Sequence, residues 1–196
     1  FLEEHPDSFS LRGHAADATV FFSDLTGFTK MSERMPPDKL VAILNGYFAP
    51  VTNAIMDAEG YVDKYTGDGI MAVWGAPYPD QRHAEKACAA ALRQRELMRV
   101  INDQVAAPAG VELRVRTGIN SGNVVAGNMG SGRKVQYTVV GDVVNLAARL
   151  EPFNKDFGTD IIIGPATREY VKASFVTRRL GRIAVYGKQD VIEAYE

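Results

Sequence analysis

Short apolar runs, each ended by a carboxylate or a glycine, divide the first third of the chain into predicted elements. Residues 18–24 (ATVFFSD) are apolar until Asp24, a pattern that predicts a buried strand leading into a turn. A short helix is predicted within residues 25–35. Asp38 is expected to cap a longer helix, whose apolar residues recur every three or four positions until Gly60 ends it.

The rest of the chain continues this alternation of strands and helices. The segments YVDKYT and IMAVWG, joined through an Asp-Gly pair, predict a hairpin, and residues 83–101 predict an alanine-rich amphipathic helix. Strands are predicted at VELRVRTGINSG, NVVAG and VQYTVV, followed by a helix over residues 142–153. Short strands (DIIIG, FVTRRLG, RIAVYG and VIEAYE) then surround a helix near residues 165–172. This order predicts an α+β fold with a ferredoxin-like βαββαβ core.

Composition narrows the classes of function. The chain has 196 residues, of which 46% are hydrophobic and 23% charged, as in an ordinary globular domain with a sizeable core. Lysine plus arginine number 22 against 24 aspartate plus glutamate, and this net charge of -2 argues against a nucleic-acid binder. Because Cys88 is its one cysteine, the chain has neither a disulfide framework nor a thiolate metal cluster.

The N-terminal segment differs from the rest of the chain. Residues 1–17 are polar and contain Pro6 and Gly13, which predicts a linker or lead-in helix, and residues 18–196 are predicted to form the domain. The chain opens at Phe1 without a signal-peptide pattern, and its apolar runs are too short to span a bilayer. We therefore expect a domain of a longer protein that works in a reducing, cytoplasmic setting.

Two aspartates stand at predicted strand ends. Asp24 precedes the short helix, and Asp68 occupies the tip of the hairpin. Each has an ordinary explanation, Asp24 as a helix cap and Asp68 as a turn residue. Together, on adjacent strands beside a helix N-terminus, paired carboxylates suit hard cations that carry phosphates. The backbone N–H groups expected to hold phosphate oxygens are those of Thr26, Gly27, Phe28 and Thr29.

A second polar pair lies on the helix after Gly141. Asn145 and Arg149 are four residues apart in VVNLAARL, which places them on one face of that helix. Such a pair is commonly a solvated face. An amide beside a guanidinium can also orient a ribose and stabilise a pentavalent phosphorus.

A third pair, Lys64 and Thr138, lies in two predicted strands. Lys64 is expected to share a face with Val62 and Thr66, where it interrupts a modestly apolar row. A snorkelling lysine and a β-branched strand former explain the two residues equally well without any function.

Four segments carry a family resemblance in this order: FFSDLTGFT, KYTGDGIMAVWGAP, GINSGNVVAGNMGS and YTVVGDVVNLAARLE. They resemble the class III nucleotidyl cyclases and are most similar to bacterial adenylyl cyclase catalytic domains, over residues 18–196. The resemblance implies the class III cyclase fold, with helices packed on a central, mainly antiparallel sheet. It also implies the conversion of ATP to 3′,5′-cyclic AMP and pyrophosphate.

The same resemblance implies a cofactor. Asp24 and Asp68 match the two metal-binding aspartates of the family, and Leu25 would contribute through its backbone. The implied cofactor is two divalent cations per site, Mg²⁺ or Mn²⁺.

The nucleotide contacts and the partners are implied in the same way. Lys64 and Thr138 match the pair that reads adenine, Asn145 the ribose-orienting asparagine, and Arg149 the transition-state arginine. In the family, the metal aspartates of one chain face these four residues of another, so the implied partner is a second copy in a homodimer. Upstream sensor or regulatory domains of the parent chain, which could be membrane-anchored, are the other implied partners.

Two positions depart from the family pattern. Asn123 stands where some members carry a phosphate-binding arginine, and Tyr186-Gly187-Lys188 stands where they often read Lys-Gly-Lys. Lys188 is therefore the candidate contact to the triphosphate.

The alternatives are a guanylyl cyclase and a non-catalytic nucleotide-binding dimerisation module. Adenine offers a lone pair at N1 and an amine at N6, which suit the donors of Lys64 and an accepting hydroxyl on Thr138. Guanine would need an acceptor such as glutamate where Lys64 stands. A degenerate module would lack one of the aspartates, the asparagine or the arginine, and all of them are present.

Overall fold

The computed structural model describes residues 13–131, 133–184 and 191–196, in which eight strands form a single sheet. The strands are β1 Gly13–Leu25, β2 Tyr61–Thr66, β3 Gly69–Trp74, β4 Val115–Ser131, β5 Lys134–Val140, β6 Ile161–Ile163, β7 Arg179–Ile183 and β8 Ile192–Tyr195. The α-helices are α1 Phe28–Ser32, α2 Pro37–Asp57, α3 His83–Ile101, α4 Asp142–Phe157 and α5 Pro165–Val171. A π-helical turn over Asn102–Ala106 and a 3-10 turn over Ala107–Ala109 extend α3.

The sheet has the order β2-β3-β1-β4-β6-β8-β7, and β5 pairs with the distal half of β4. Among the described strands, β4 and β6 pair in parallel and the other pairs are antiparallel. The predicted α+β fold with a mainly antiparallel sheet is confirmed.

Strand β1 shows how the sheet separates two cores. Phe21 packs with residues of α2 and α3 on one face. Ala18 and Val20 pack with Ala147 of α4 on the opposite face. Because successive side chains of a strand point to opposite faces, one apolar run supplies both cores. Asp24 follows on the same alternation as Ala18 and Val20.

Several predicted boundaries were wrong. Strand β1 begins at Gly13, so residues 13–17, expected in the lead-in segment, belong to the sheet. They do so because the long strand β4 offers them partners, with Gly13 opposite Gly127. Residues 115–122 and NVVAG form this one strand rather than two, and residues 111–114, which were predicted within it, precede it. Asp38 lies inside the first turn of α2, whose N-cap is Pro36.

Strand β5 returns over the sheet and reaches β2, although β3, β1 and β4 lie between them in the hydrogen-bonded order. The Tyr61 hydroxyl donates to the Tyr137 carbonyl at 3.1 Å, and the two rings meet edge to face at 5.8 Å. This closure brings residues from distant parts of the sequence onto one surface.

Within the described ranges, no helix combines the length and the apolarity needed to cross a bilayer.

Candidate functional site

Asp24 and Asp68, here called the carboxylate pair, meet where β1 ends beside the turn between β2 and β3. Their side chains lie within hydrogen-bonding reach of each other. Gly69 allows this approach, because a Cβ there would lie 2.8 Å from the Ser23 carbonyl oxygen and 3.3 Å from Asp24 Oδ1. The absence of a side chain at residue 69 therefore lets the turn pack directly on the end of β1.

Burial and a neighbouring like charge change the titration of Asp24. Burial, followed by the charge of Asp68 and the hydrogen bond to it, raises the pKa of Asp24 from 3.8 to about 6, with Arg116 acting in the opposite direction. A proton shared between the two carboxyl groups relieves the repulsion. A cation would relieve it equally well.

Two further charged residues border the carboxylate pair, and sequence reasoning missed both. Arg116 on β4 forms an ion pair with Glu151 at 2.8 Å and lies 3.8 Å from Asp24. Burial raises the pKa of Glu151 to about 7, although Arg116 opposes the shift. The available signal was the position of Glu151, four residues after Ala147 on the buried face of its helix.

The residues after Asp24 lead into α1. Leu25 is buried, and its backbone N–H donates to the Asp24 carboxylate. The N–H of Thr26 donates to the Arg114 carbonyl at 2.7 Å, so in this structure that group is already used within the protein. Gly27 caps α1 with φ at 79°, and Phe28 and Thr29 form the first turn. These three N–H groups remain as candidates for phosphate contact.

Lys64 and Thr138 meet through the closure of β5 onto β2. Lys64 Nζ donates to Thr138 Oγ1 at 3.3 Å. Thr138 is buried, whereas 37% of the Lys64 side chain is exposed, so the ammonium lies at the surface above the hydroxyl. The predicted pair is therefore in contact, across strands that are not neighbours in the sheet.

The predicted face of Lys64 was wrong because β2 contains a bulge. Val62 pairs with Ala72 and Lys64 with Met71, so two residues of β2, Asp63 and Lys64, correspond to one residue of β3. Val62 accordingly packs on the core under α2 and α3. Because of the extra residue, Lys64 does not lie on the same face of the sheet as Val62, and its side chain reaches Thr138 instead.

Asp63, which sequence reasoning also missed, is the centre of this contact. Its side chain has no exposed surface, and Oδ1 accepts from Lys64 Nζ at 3.1 Å and from Gln136 Nε2 at 3.0 Å. Oδ2 accepts from the Thr138 hydroxyl. We call Asp63, Lys64, Gln136 and Thr138 the base-reading cluster, after the role that the family resemblance implies for Lys64 and Thr138. An acidic residue directly before a lysine in a strand was the only sequence signal for it.

Asn145 and Arg149 lie on α4, whose apolar side packs on the sheet. Asn145 is exposed and Arg149 partly buried. Helix α4 approaches β4 closely at Gly118, where a Cβ would lie 2.5 Å from both the Ala147 carbonyl oxygen and the Glu151 nitrogen. This glycine therefore sets how near the helix can come to the sheet.

Of the two positions that depart from the family pattern, the structure describes one and not the other. Asn123 is exposed and lies opposite Asp17 in the β1–β4 ladder. Lys188, with Tyr186 and Gly187, lies outside the described residues.

The carboxylate pair fits a divalent cation by the chemistry of its donors. Carboxylate oxygens are the ligands that Mg²⁺ and Mn²⁺ prefer, and Mg²⁺ is commonly held by one or two carboxylates together with substrate phosphates. In the described ranges no group of three or more histidine, cysteine, aspartate or glutamate side chains could hold a metal ion. A cation at this pair would therefore take its remaining ligands from the backbone, water or a phosphate.

Comparisons with known proteins agree over almost the whole chain. A family model described as "Adenylate and Guanylate cyclase catalytic domain" matches residues 12–195. Adenylate cyclase 1 of Rhizobium meliloti (strain 1021) is 36% identical over 180 residues, which are 92% of this chain and 27% of that protein.

Two solved structures are similar in fold. The adenylyl cyclase CyaB from P. aeruginosa has a TM-score of 0.88 and 32% identity, covering 94% of this chain and 95% of that one. The guanylyl cyclase Cya2 has a TM-score of 0.83 and 33% identity, covering 93% and 92%.

Proposed function

Because this chain belongs to the adenylate and guanylate cyclase catalytic domain family, we propose that it converts ATP to 3′,5′-cyclic AMP and pyrophosphate. The proposed sites are shared between two copies of the chain. This proposal concerns the domain, because the chain spans 27% of the length of its Rhizobium relative.

The contact between Lys64 and Thr138 is the observation that carries the choice of ATP. Overall similarity does not discriminate, since CyaB and Cya2 are 32% and 33% identical to this chain. The side chains do discriminate between ATP and GTP, because the Lys64 ammonium can donate hydrogen bonds but cannot accept them. It complements the lone pair at N1 of adenine and would oppose the N–H at N1 of guanine.

The reaction proceeds by attack of the ribose 3′-oxygen on the α-phosphorus. That bond forms while the bond from the α-phosphorus to the oxygen bridging to the β-phosphate breaks, and pyrophosphate leaves. Asn145 orients the ribose, and the Arg149 guanidinium offsets negative charge that grows on the α-phosphoryl oxygens.

Asp24, Asp68 and the backbone of Leu25 would hold two divalent cations, Mg²⁺ or Mn²⁺. Such cations supply Lewis acidity to the 3′-hydroxyl and charge neutralisation to the triphosphate. The N–H groups of Gly27, Phe28 and Thr29 bind phosphate oxygens beside them, and we keep Lys188 as a further candidate for triphosphate contact.

A second copy of the chain is the proposed partner. Val125, Val135 and Val140 on the β4–β5 hairpin are each exposed by 44 to 47%, which leaves apolar surface on the hairpin that carries Thr138. A homodimer would bury this surface and face the carboxylate pair of one chain with Lys64, Thr138, Asn145 and Arg149 of the other.

Product formation from Mn-ATP and Mn-GTP tests the proposal. We expect cyclic AMP from ATP and at least about tenfold lower kcat/KM with GTP, as for a mismatch of hydrogen-bonding groups. Arg149→Ala is the matched inactive variant. Preferential formation of cyclic GMP would identify a guanylyl cyclase, and binding of nucleotide without any product would identify a non-catalytic module.

A further inference from the structure

We infer that Asp63 sets the base preference of the site by determining where the Thr138 hydroxyl directs its proton. The inference rests on the proposed cyclase activity and adds a positioning residue to it. Asp63 does not need to touch the nucleotide, because it acts through Thr138 and Lys64.

Both carboxylate oxygens of Asp63 accept hydrogen bonds from neighbouring side chains. Lys64 and Gln136 donate to Oδ1, and the Gln136 amide also donates to the Asp63 backbone carbonyl at 3.0 Å. Thr138 donates to Oδ2. A carboxylate offers acceptor positions and no donor, so any hydroxyl bound to it must give up its proton to that bond.

This bond fixes the polarity of Thr138. A hydroxyl has one proton and two lone pairs. The proton is directed at Asp63, and Lys64 Nζ donates to the oxygen at 3.3 Å, which leaves a lone pair for an incoming donor. The 6-amine of adenine is such a donor. The 6-carbonyl oxygen of guanine would instead direct a lone pair at the lone pair of the Thr138 hydroxyl, and no hydrogen bond could form.

Lys64 is held by the same carboxylate. Two of its three protons are directed at Asp63 and Thr138, and the exposed part of the side chain leaves the third for the lone pair at N1 of adenine. Asp63 therefore holds one donor and one acceptor side by side, in the order that the adenine edge requires.

A purely structural role for Asp63 makes a different prediction. A fully buried carboxylate with donors from β2 and β5 also ties these strands together, so its loss should lower stability in any case. Stability loss would reduce activity with ATP and GTP alike. A change in the ratio of the two activities would require that the polarity of the base-reading cluster has changed.

Asp63→Asn is the decisive variant. Lys64 and Gln136 both donate at the Oδ1 position, so the amide oxygen is expected to stay there and the amide nitrogen to face Thr138. The hydroxyl would then accept from residue 63 and its proton could point at the base. We expect the ratio of kcat/KM for ATP to that for GTP to fall about tenfold or more.

Two controls separate this change in base preference from a general loss of stability. Gln136→Met removes donors to Asp63 but leaves the Thr138 bond in place, so the ATP:GTP ratio should stay within about twofold of wild type. In a Thr138→Val background, Asp63→Asn should no longer change the ratio, since the amide oxygen still accepts from Lys64 and the hydroxyl whose polarity it alters is gone. An unchanged ratio in folded Asp63→Asn, or an equal change in the valine background, would overturn the inference.

A measurement on the unmodified protein covers the case in which Asp63→Asn does not fold. Inosine triphosphate carries a 6-carbonyl, and 2,6-diaminopurine riboside triphosphate keeps the 6-amine and the free N1. We expect the diaminopurine nucleotide to be used and the inosine nucleotide to be rejected about tenfold or more. Equal use of inosine triphosphate and ATP would refute a fixed acceptor at Thr138.

Failure of the proposed function remains distinguishable from failure of this inference. Calorimetric binding of 3′-deoxy-ATP and 3′-deoxy-GTP, which lack the attacking hydroxyl, reports base preference without turnover. A wild-type protein that binds the adenine analogue selectively but forms no product would refute the cyclase activity and leave the role of Asp63 intact. A wild-type protein that makes cyclic AMP while the selectivity of Asp63→Asn is unchanged would refute the role alone.

Discussion

The carboxylate pair and the base-reading cluster are both groups of polar side chains, but their charges are arranged in opposite ways. Asp24 and Asp68 bring two like charges together, and burial together with the charge of Asp68 raises the pKa of Asp24 to about 6. Asp63 and Lys64 bring opposite charges to 3.1 Å, and Gln136 and Thr138 satisfy the remaining carboxylate positions. The first arrangement has only a distant counter-charge, Arg116 at 3.8 Å from Asp24, which pairs more closely with Glu151, whereas the second contains its own.

This difference indicates what each region contributes to binding. Like charges held together by the fold favour a ligand that neutralises them, so the carboxylate pair gains from a cation and its phosphates. A satisfied hydrogen-bond network is rigid and directional, so the base-reading cluster is organised before the nucleotide arrives. In the proposed function, one region would therefore supply affinity for charge, and the other would supply discrimination between bases.

The largest expected effect follows from removing half of the carboxylate pair. Asp68→Ala should reduce cyclic AMP formation at least about a thousandfold, since a bound cation supplies several kcal/mol of charge stabilisation. The melting temperature should not fall, because the substitution also removes a like charge beside Asp24. Asp103→Ala, at an exposed aspartate of the π-helical turn, is the matched control. Near-normal activity of Asp68→Ala with Mg²⁺ would exclude the metal assignment.

A mixing experiment tests whether the two regions of one site come from different chains. Asp68→Ala and Arg149→Ala homodimers should each be inactive. After subunit exchange about half of the dimers are heterodimers with one intact site of two, so activity should recover to roughly a quarter of wild type. Absence of recovery despite demonstrated heterodimers would place the whole site within one chain.

Replacing Lys64, the positively charged residue of the base-reading cluster, should lower both activity and stability, whereas Asp68→Ala should lower activity alone. Lys64→Glu would place a second carboxylate beside the fully buried Asp63 side chain. We expect kcat/KM for ATP to fall about a hundredfold and stability to fall by about 1–2 kcal/mol, between the values for exposed and buried ion pairs, because Asp63 is buried and Lys64 is partly exposed. Lys39→Glu, the same charge change at an exposed residue of α2, should alter neither quantity. An unchanged melting temperature for Lys64→Glu would contradict the described cluster.

The smallest expected effect is a pH dependence of stability in the cation-free protein. The pKa of Asp24 is raised to about 6 from 3.8, so the folded state binds more protons than the unfolded state between these values. Stability from this group is present at low pH and is lost as the pH rises through about 6. Because 39% of the side chain is exposed, screening limits the effect to about 1 kcal/mol.

Urea unfolding with a chelator at pH 5 and pH 7 measures this loss. Asp24→Asn should show a smaller decrease than wild type, and Mn²⁺ should stabilise wild type more at pH 7 than at pH 5. An equal pH dependence in wild type and Asp24→Asn would contradict the shifted pKa.

Much of the fold could be predicted because local patterns and the final structure agree. Residues 83–101 were predicted as a helix, and α3 spans the same residues. The hairpin of β2 and β3 was predicted from an Asp-Gly turn between two β-rich runs. The start of β1 was missed because its first residues are polar, and what makes them a strand is their pairing with β4.

The candidate site divides in the same way. Asp24, Asp68, Asn145 and Arg149 were identified from their positions at strand ends and on one helix face, which are properties of short segments. The contact of Lys64 with Thr138 was expected only through family resemblance, because β2 and β5 are not neighbours in the sheet. Asp63, Arg116 and Glu151 were missed because their importance depends on what surrounds them, not on their own segments.

The sequence by itself determined most of the succession of strands and helices, because these depend on interactions between residues close in the chain, and it supplied the residues proposed to contact cation, ribose and base. The tertiary structure alone decided the bulge that turns Lys64 toward Thr138 and the closure of β5 onto β2 that buries Asp63. It also decided the pKa of Asp24, because desolvation and a neighbouring charge act through space. Electrostatic and hydrogen-bonding partners that are 44 to 75 residues apart in the chain meet only when the sheet is complete.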